Sequence, residues 1–153
     1  EEVLGLHHLY PERVRIVLWP LPRTRLDPRA EKAARVALAA HRLKKFDIVH
    51  PLLVSAAGEI TGGRLDRFTE AAGLPPGTLN GTAVSEEIRS KVSMLRERAV
   101  KLGVYSPPVV FVAGRRIRGA VPSTCMLVGA VREALLEALT DYYGELPAGI
   151  TQM

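Results

Sequence analysis

The sequence contains one thiol, Cys125, and this residue is the clearest candidate for covalent chemistry. Ser123 is a good N-cap residue, so Cys125 is expected in the first turn of a helix, where backbone N–H groups and the helix dipole favour a thiolate. A thiolate can attack a disulfide. Because the chain has no second cysteine, Cys125 has no partner for an intramolecular disulfide. The alternative interpretation is a small buried apolar side chain.

The histidines do not form a recognisable site. His7 and His8 are adjacent, so on a helix they point about 100° apart. His41 and His50 are isolated in the sequence. No spacing typical of a metal site is present, and no metal is predicted.

The basic residues are numerous but spread along the chain. The formal net charge is +5, and aromatic residues make up only 5%, so the clustered cations and aromatics of a nucleic-acid interface are not indicated. The densest group consists of Arg115, Arg116 and Arg118. Its two interpretations are a charged edge strand that resists aggregation and an electrostatic rim for an acidic substrate or partner.

The order of the predicted helices and strands indicates one α/β domain over residues 1–153, with an all-helical insertion at about 27–103. No apolar run is long enough to span a membrane. Apolar periodicity and capping residues predict the elements. In chain order they are the end of a helix over 1–10, a strand Arg13–Trp19, helices from Asp27 to about Phe46, over 48–54, 64–72 and 85–102, a hairpin of Val109–Val112 and Arg115–Arg118, and a helix from Ser123 to Gly144.

The segment Gly103–Gly114 resembles the cis-proline segment of DsbA-like proteins, which are thiol–disulfide oxidoreductases with a thioredoxin-like fold. It reads GVYSPPVVFVAG, and Pro108 falls on the cis-proline position without a gap. A short apolar strand and a glycine turn follow, as in the family. Other segments resemble the family in the same order, so the likeness covers nearly the whole chain: Tyr10–Val17, Pro20–Pro22, Ala30–Ala40, Phe46, His50–Leu53 and Arg118–Ala120.

The resemblance implies a thioredoxin-like sheet with the helical insertion between the Arg13–Trp19 strand and the Val109–Arg118 hairpin. It implies an extracytoplasmic, periplasmic or exported bacterial protein that needs no cofactor and acts on cysteine-containing proteins or peptides. The substrate-binding loop would comprise Tyr105, Ser106, Pro107, Pro108 and Val109. Pro107 departs from the Thr or Val common in the family. Because proline has no N–H, one hydrogen bond to the substrate would be lost, at a net cost of about 0.5–1.5 kcal/mol.

No residue of this chain matches the family's Cys-x-x-Cys pair, which the resemblance places just before Glu1. The family's first strand also has no counterpart, so we expect further polypeptide to fill the centre of the sheet. It would come from N-terminal residues, from a second copy in a homodimer or from another chain. Three interpretations stay open: an oxidoreductase with an upstream pair, a redox-inactive thioredoxin-fold module that binds peptides or a partner, and a relative of kappa-type glutathione transferases, which use a serine near the first helix.

Overall fold

The computed structural model describes residues 15–22, 29–56, 59–117 and 124–143, without the side chains of 124–126, 139 and 141–143. The chain divides into two compact units. The helical unit is Trp19–Pro107, and the hairpin unit is formed by the chain on both sides of it, with described residues in 15–18, 108–117 and 124–143. The described elements are α1 Arg29–Arg42, α2 Phe46–Ser55, α3 Gly62–Ala71, α4 Thr78–Ala83, α5 Glu86–Lys101, β1 Val110–Val112, β2 Arg115–Ile117 and α6 Thr124–Tyr143.

Helix α1 lies at the centre of the helical unit and contacts α2, α4 and α5. Its inner face consists largely of alanines, which let neighbouring helices approach closely, as the sequence predicted. Ala39, Ala40 and Val36 are fully buried there. Leu65 and Leu79 contribute the larger apolar side chains to the same core, and each has at most 1% of its surface exposed. The predicted helical insertion is therefore helical, with its own apolar core.

Several helix ends form where the sequence predicted them. The Ser85 hydroxyl accepts a hydrogen bond from the backbone N–H of Ile88 at 3.4 Å and so caps α5. Gly103, at φ +68°, follows the other end of α5, and the Val104 N–H donates to the Ala99 carbonyl at 2.8 Å. Glycine adopts this left-handed conformation without the steric cost that a Cβ atom brings. These local signals fix the limits of α5.

The helix predicted from Asp27 to about Phe46 ends earlier in the structure, and the helix predicted over 48–54 begins earlier, at Phe46. Helix α1 ends at Arg42, and Lys44 adopts a left-handed conformation with φ +57°. The Lys45 N–H then donates to the Ala40 carbonyl at 2.8 Å, which closes the helix end before α2 begins at Phe46. Glycine is the usual residue at such a position, so its absence here explains why the predicted end of α1 was too late in the sequence.

Residues 78–83, for which the sequence predicted no helix or strand, form α4. This six-residue helix includes Asn80 and Gly81, both of which have low helix propensity. It forms because Leu79 and Ala83 are buried in the core of the helical unit. Tertiary packing therefore outweighs local propensity in this segment.

Ion pairs join α1 to α5 along their partly exposed faces. Arg42 pairs with Glu87, and Arg96 lies 3.6 Å from the carboxylate of Glu31, which also pairs with Arg35 one turn away on α1. The hydrogen bond from the Arg35 guanidinium lowers the pKa of Glu31, and the charge of Arg96 acts in the same direction. These partly exposed pairs orient the helices but each contributes little to stability.

The hairpin unit has β1 and β2 packed on one face against α6. The strands are antiparallel, with Val110 opposite Ile117 and Phe111 opposite Arg116. Leu127 and Val131 of α6 form the core of this unit, and the apolar side chains packed against them are Ile16, Val110, Val112, Val128 and Leu135. The predicted hairpin and C-terminal helix are confirmed in the described residues. Ser123 lies outside those residues, and the side chains of Leu139 and Tyr142 are not described.

The strand predicted over Arg13–Trp19 is not formed in its described part. Residues 15–19 adopt neither helix nor strand, although Ile16 packs into the core of the hairpin unit. Val17 is 67% exposed. A strand needs a neighbour for its backbone hydrogen bonds, and the described sheet contains only β1 and β2. The described residues thus support a mainly helical α/β arrangement with a two-stranded sheet.

Within the described ranges, no helix combines the length and the apolar character needed to cross a membrane.

The two-residue turn of the hairpin offers a test of its backbone geometry. Ala113 and Gly114 have φ values of +46° and +79°, the positive pair required by a type I′ turn. Alanine disfavours this conformation, whereas asparagine tolerates it. We expect Ala113→Asn to raise the free energy of unfolding by about 0.5–1 kcal/mol. Gly114→Ala should lower it by about 1–2 kcal/mol. Chemical denaturation measures both, and a destabilising Ala113→Asn would contradict the turn assignment.

Candidate functional site

The predicted substrate-binding loop, Tyr105–Val109, follows α5 and leads into β1. Gly103 turns the chain after α5, and buried Val104 anchors it with a hydrogen bond to the last turn of that helix. Tyr105 to Pro107 end the helical unit, and Pro108 begins the hairpin unit. The loop therefore connects the end of α5, where Val104 is anchored, to the start of β1.

The side chains of this loop are accessible. Tyr105 is 77% exposed, more than any other large apolar side chain of the described residues. Ser106 and Pro108 are exposed, while Pro107 and Val109 are partly buried. An exposed aromatic ring beside two prolines gives apolar contact area at small entropic cost, because proline fixes φ and tyrosine has few rotatable bonds. These side chains give the loop an accessible apolar surface.

Pro108 lies two residues before β1, close to the position that the sequence predicted for it. The cis geometry expected for its peptide bond stays a prediction.

Cys125 is the second residue of α6, so its backbone lies in the first turn of a helix, as expected from Ser123. Its side chain is not among those described. Whether it acts as a reactive thiol therefore stays a prediction that rests on its helical position.

The basic hairpin is partly neutralised. Arg115 pairs with Glu137 of α6 at 2.6 Å, and both side chains are more than half exposed. Arg116 is exposed on the opposite face, across from Phe111. Arg118 lies outside the described residues. The pairing of Arg115 favours the interpretation of a solvated edge strand, because this side chain already has an acidic partner.

A cavity that is open to solvent, and that sequence analysis missed, lies at the turn between α1 and α2. It is lined by His41, Arg42, Lys44, Phe46 and Asp47, and all of these except Phe46 are exposed. The sequence signal was the run from His41 to Lys45, in which only Leu43 is not basic. The histidine was considered in isolation because the helix was predicted to continue to about Phe46, whereas α1 ends at Arg42 and α2 begins at Phe46.

Aromatic packing fixes the ring that lines this cavity. The Phe46 ring stacks on His50 with centroids 4.7 Å apart and planes at 25°. It meets His41 edge to face, at 6.4 Å and 74°. Burial lowers the pKa of His50, because the charged imidazolium is poorly solvated against the phenyl ring. Among the described residues, no group of three or more His, Cys, Asp or Glu side chains is placed to hold a metal ion.

The lowered pKa of His50 predicts a loss of stability in acid. The unfolded chain, in which histidine titrates near pH 6.5, binds more protons than the folded chain over this range. The free energy of unfolding should therefore fall as the pH drops from about 7.5 to 5. We expect His50→Gln to reduce that slope, as measured by urea unfolding at several pH values. Identical slopes in the two proteins would contradict this assignment.

The chain matches no protein-family model, no curated protein and no solved structure. The DsbA-like assignment accordingly stays a prediction that rests on the residues of Gly103–Gly114 and the order of the other segments.

Proposed function

We propose that this chain is the substrate-binding part of a DsbA-like thiol–disulfide oxidoreductase that acts outside the cytoplasm. In this proposal the Tyr105–Val109 loop binds extended, cysteine-containing segments of protein substrates. The redox-active Cys-x-x-Cys pair belongs to residues before Glu1, at the position where the family carries it. The sheet is completed by a strand from the same upstream residues or from a second copy of the chain.

One observation carries the proposal. The helical unit is an insertion in the chain, with the hairpin unit formed from segments on both sides of it. Ile16, which precedes the insertion, packs against the core formed by Leu127 and Val131, which follow it. A thioredoxin-like domain with a helical insertion has this order, and the resemblance implied such an insertion at about 27–103, between the Arg13–Trp19 strand and the Val109–Arg118 hairpin. The finer fold remains part of the proposal.

A second candidate function is peptide binding without redox chemistry. The exposure of Tyr105, and of Phe111 at 42%, favours this possibility, because apolar contacts bind a peptide whether or not a cysteine pair is present. The two candidates make the same prediction for the loop and different predictions for the residues before Glu1.

The loop assignment predicts a binding defect in Tyr105→Ala. An unfolded peptide with one alkylated cysteine is a suitable probe, since it tests binding without disulfide exchange. Loss of an exposed aromatic contact should weaken the affinity about three- to tenfold, equivalent to about 0.5–1.5 kcal/mol. Isothermal titration calorimetry gives the dissociation constant.

Val54→Ala is the control for this measurement, because Val54 is a similarly exposed apolar residue, 66% accessible, on α2 and outside the loop. Its affinity should equal that of the unmodified protein. Equal binding by Tyr105→Ala and the unmodified protein would remove the loop from the proposed site.

A further inference from the structure

The only asparagine of the chain, Asn80, is followed directly by Gly81. Because glycine has no side chain, its backbone nitrogen reaches the side-chain amide of a preceding asparagine more easily than the nitrogen of a bulkier residue does. Both residues are exposed on α4, and the Asn80 amide forms no hydrogen bond with any described residue. Gly81 also has open space where a Cβ atom would lie. The amide carbon of Asn80 is therefore open to attack by the Gly81 nitrogen.

Helix α4 holds the attacking nitrogen away from this reaction. The Gly81 N–H donates to the Gly77 carbonyl at 2.8 Å, and the Val84 N–H donates to the Asn80 carbonyl at 3.1 Å. Closing a ring between the Asn80 side chain and the Gly81 nitrogen also needs a ψ at residue 80 far from the helical value of about −42°. The reaction therefore requires molecules in which α4 has opened.

Few contacts keep α4 closed. It has only six residues, and Gly77 at its N-terminal end provides no side-chain cap. A helix this short is unstable by itself, so α4 depends on the burial of Leu79 and Ala83 in the core. Short, exposed segments open locally at a smaller free energy than the whole domain needs to unfold. We therefore expect α4 to open while the rest of the helical unit stays folded.

We propose that Asn80 is a site of spontaneous deamidation and isoaspartate formation in the folded protein, controlled by the opening of α4. The Gly81 nitrogen loses its proton to solvent and attacks the side-chain carbonyl carbon, Cγ, of Asn80. A C–N bond forms, the bond from Cγ to Nδ2 breaks, and Nδ2 takes up a proton and leaves as ammonia. Water then opens the resulting succinimide ring at either carbonyl, giving aspartate or isoaspartate without oxidation or reduction.

The two products differ in their effect on the helical unit. Aspartate keeps the length of the main chain and adds a negative charge at an exposed position. Isoaspartate carries the main chain through its own Cβ and Cγ atoms, so it adds one carbon atom to the chain between Leu79 and Ala83. These two residues are the buried anchors of α4, and they cannot both keep their places in the core. Isoaspartate at residue 80 therefore destabilises the helical unit.

Incubation of the 153-residue chain in mildly alkaline buffer, with and without denaturing urea, tests the proposal. Trypsin cleaves after Arg67 and Arg89, so the peptide 68–89 carries Asn80. Mass spectrometry should find two products that share the mass of the free acid, elute separately and increase with time in both samples. The folded chain should react roughly 10- to 1000-fold more slowly than the chain in urea. Equal rates, or slowing well beyond this range, would overturn the proposal.

Gly81→Ala separates the effect of the helix from that of the chemistry. The alanine side chain fits the open space at residue 81 and favours the helix, but it also hinders the attack itself. The rate in urea measures this hindrance alone. In the folded protein the variant should be slower by a further factor of roughly five, because α4 opens less often. The same slowing in both samples would contradict control by α4.

Asn80→Gln and Asn80→Asp are the matched controls. Asn80→Gln should give no product in the peptide 68–89, because glutamine would have to close a larger ring. Asn80→Asp reproduces one product and should unfold at the same urea concentration as the unmodified protein. The incubated protein, isolated by ion exchange through its added negative charge, contains both products and should unfold at a lower one. A midpoint equal to that of Asn80→Asp would overturn the effect inferred for isoaspartate.

Discussion

The 153-residue chain should show no catalytic turnover in an insulin-reduction assay with dithiothreitol as the reductant. Its single thiol, Cys125, can attack a disulfide but has no second cysteine in the chain to resolve the mixed disulfide. The expected rate is that of the reductant alone, measured from the turbidity of the precipitated insulin chains. In a DsbA-like protein the Cys-x-x-Cys pair supplies essentially all of this activity. We therefore expect the 153-residue chain to have none of it.

Cys125→Ala provides the control for this assay. The variant and the unmodified chain should give the same insulin-reduction curve as the reductant without protein. Turnover that Cys125→Ala abolishes would establish this thiol as catalytic and would contradict a mechanism based on an upstream pair.

Leu65→Ala should destabilise the helical unit by about 2–5 kcal/mol, because it leaves a cavity in a close-packed core. Leu65 is 1% exposed on α3 and belongs to the core that α1, α2, α3 and α4 share. A typical domain is stable by only about 5–15 kcal/mol, so this loss is a large fraction of the total. Guanidinium unfolding followed by far-UV circular dichroism measures the shift.

Leu102→Ala removes the same atoms from a side chain that is 55% exposed at the end of α5. Its free energy of unfolding should stay within about 0.5 kcal/mol of the unmodified value. Similar losses in the two variants would mean that the core of the helical unit is assigned to the wrong residues.

The helices were predictable where local chemistry and tertiary packing agree. Ser85, the acidic residues after it and Gly103 mark α5 in the sequence, and the structure places its ends there. The apolar stripe of α5 is confirmed at Ile88 and Val92, which are buried. Leu102, the last residue of the predicted range 85–102, lies beyond the last helical residue and is exposed.

The mispredicted elements depend on contacts that a local pattern does not contain. Lys44 follows α1 in a conformation that glycine usually adopts, so the end of this helix was predicted at about Phe46 instead of Arg42. Helix α4 forms because Leu79 reaches the core, despite low local propensity. The alternation in Arg13–Trp19 predicted a strand, but the described residues provide no neighbouring strand to pair with residues 15–19.

The loop and the cavity differ in how far the sequence could predict them. The Tyr105–Val109 loop is contiguous, so a short motif sufficed to locate it and the structure adds only its exposure. The cavity at Phe46 depends on the break at Lys44 and on ring packing between Phe46 and His50. Because the break was predicted after Phe46, the basic run His41–Lys45 was expected inside the first helix and not at a turn.

The residues encoded immediately before Glu1 test the central proposal most directly. The proposal that this chain is the substrate-binding part of a DsbA-like oxidoreductase predicts a Cys-x-x-Cys pair there, preceded by a strand-forming apolar segment. Sequencing the gene upstream of the Glu1 codon gives the answer. A serine without a cysteine pair at that position would favour a glutathione transferase relative. An upstream segment with neither feature would contradict the oxidoreductase and leave peptide binding as the function of this chain.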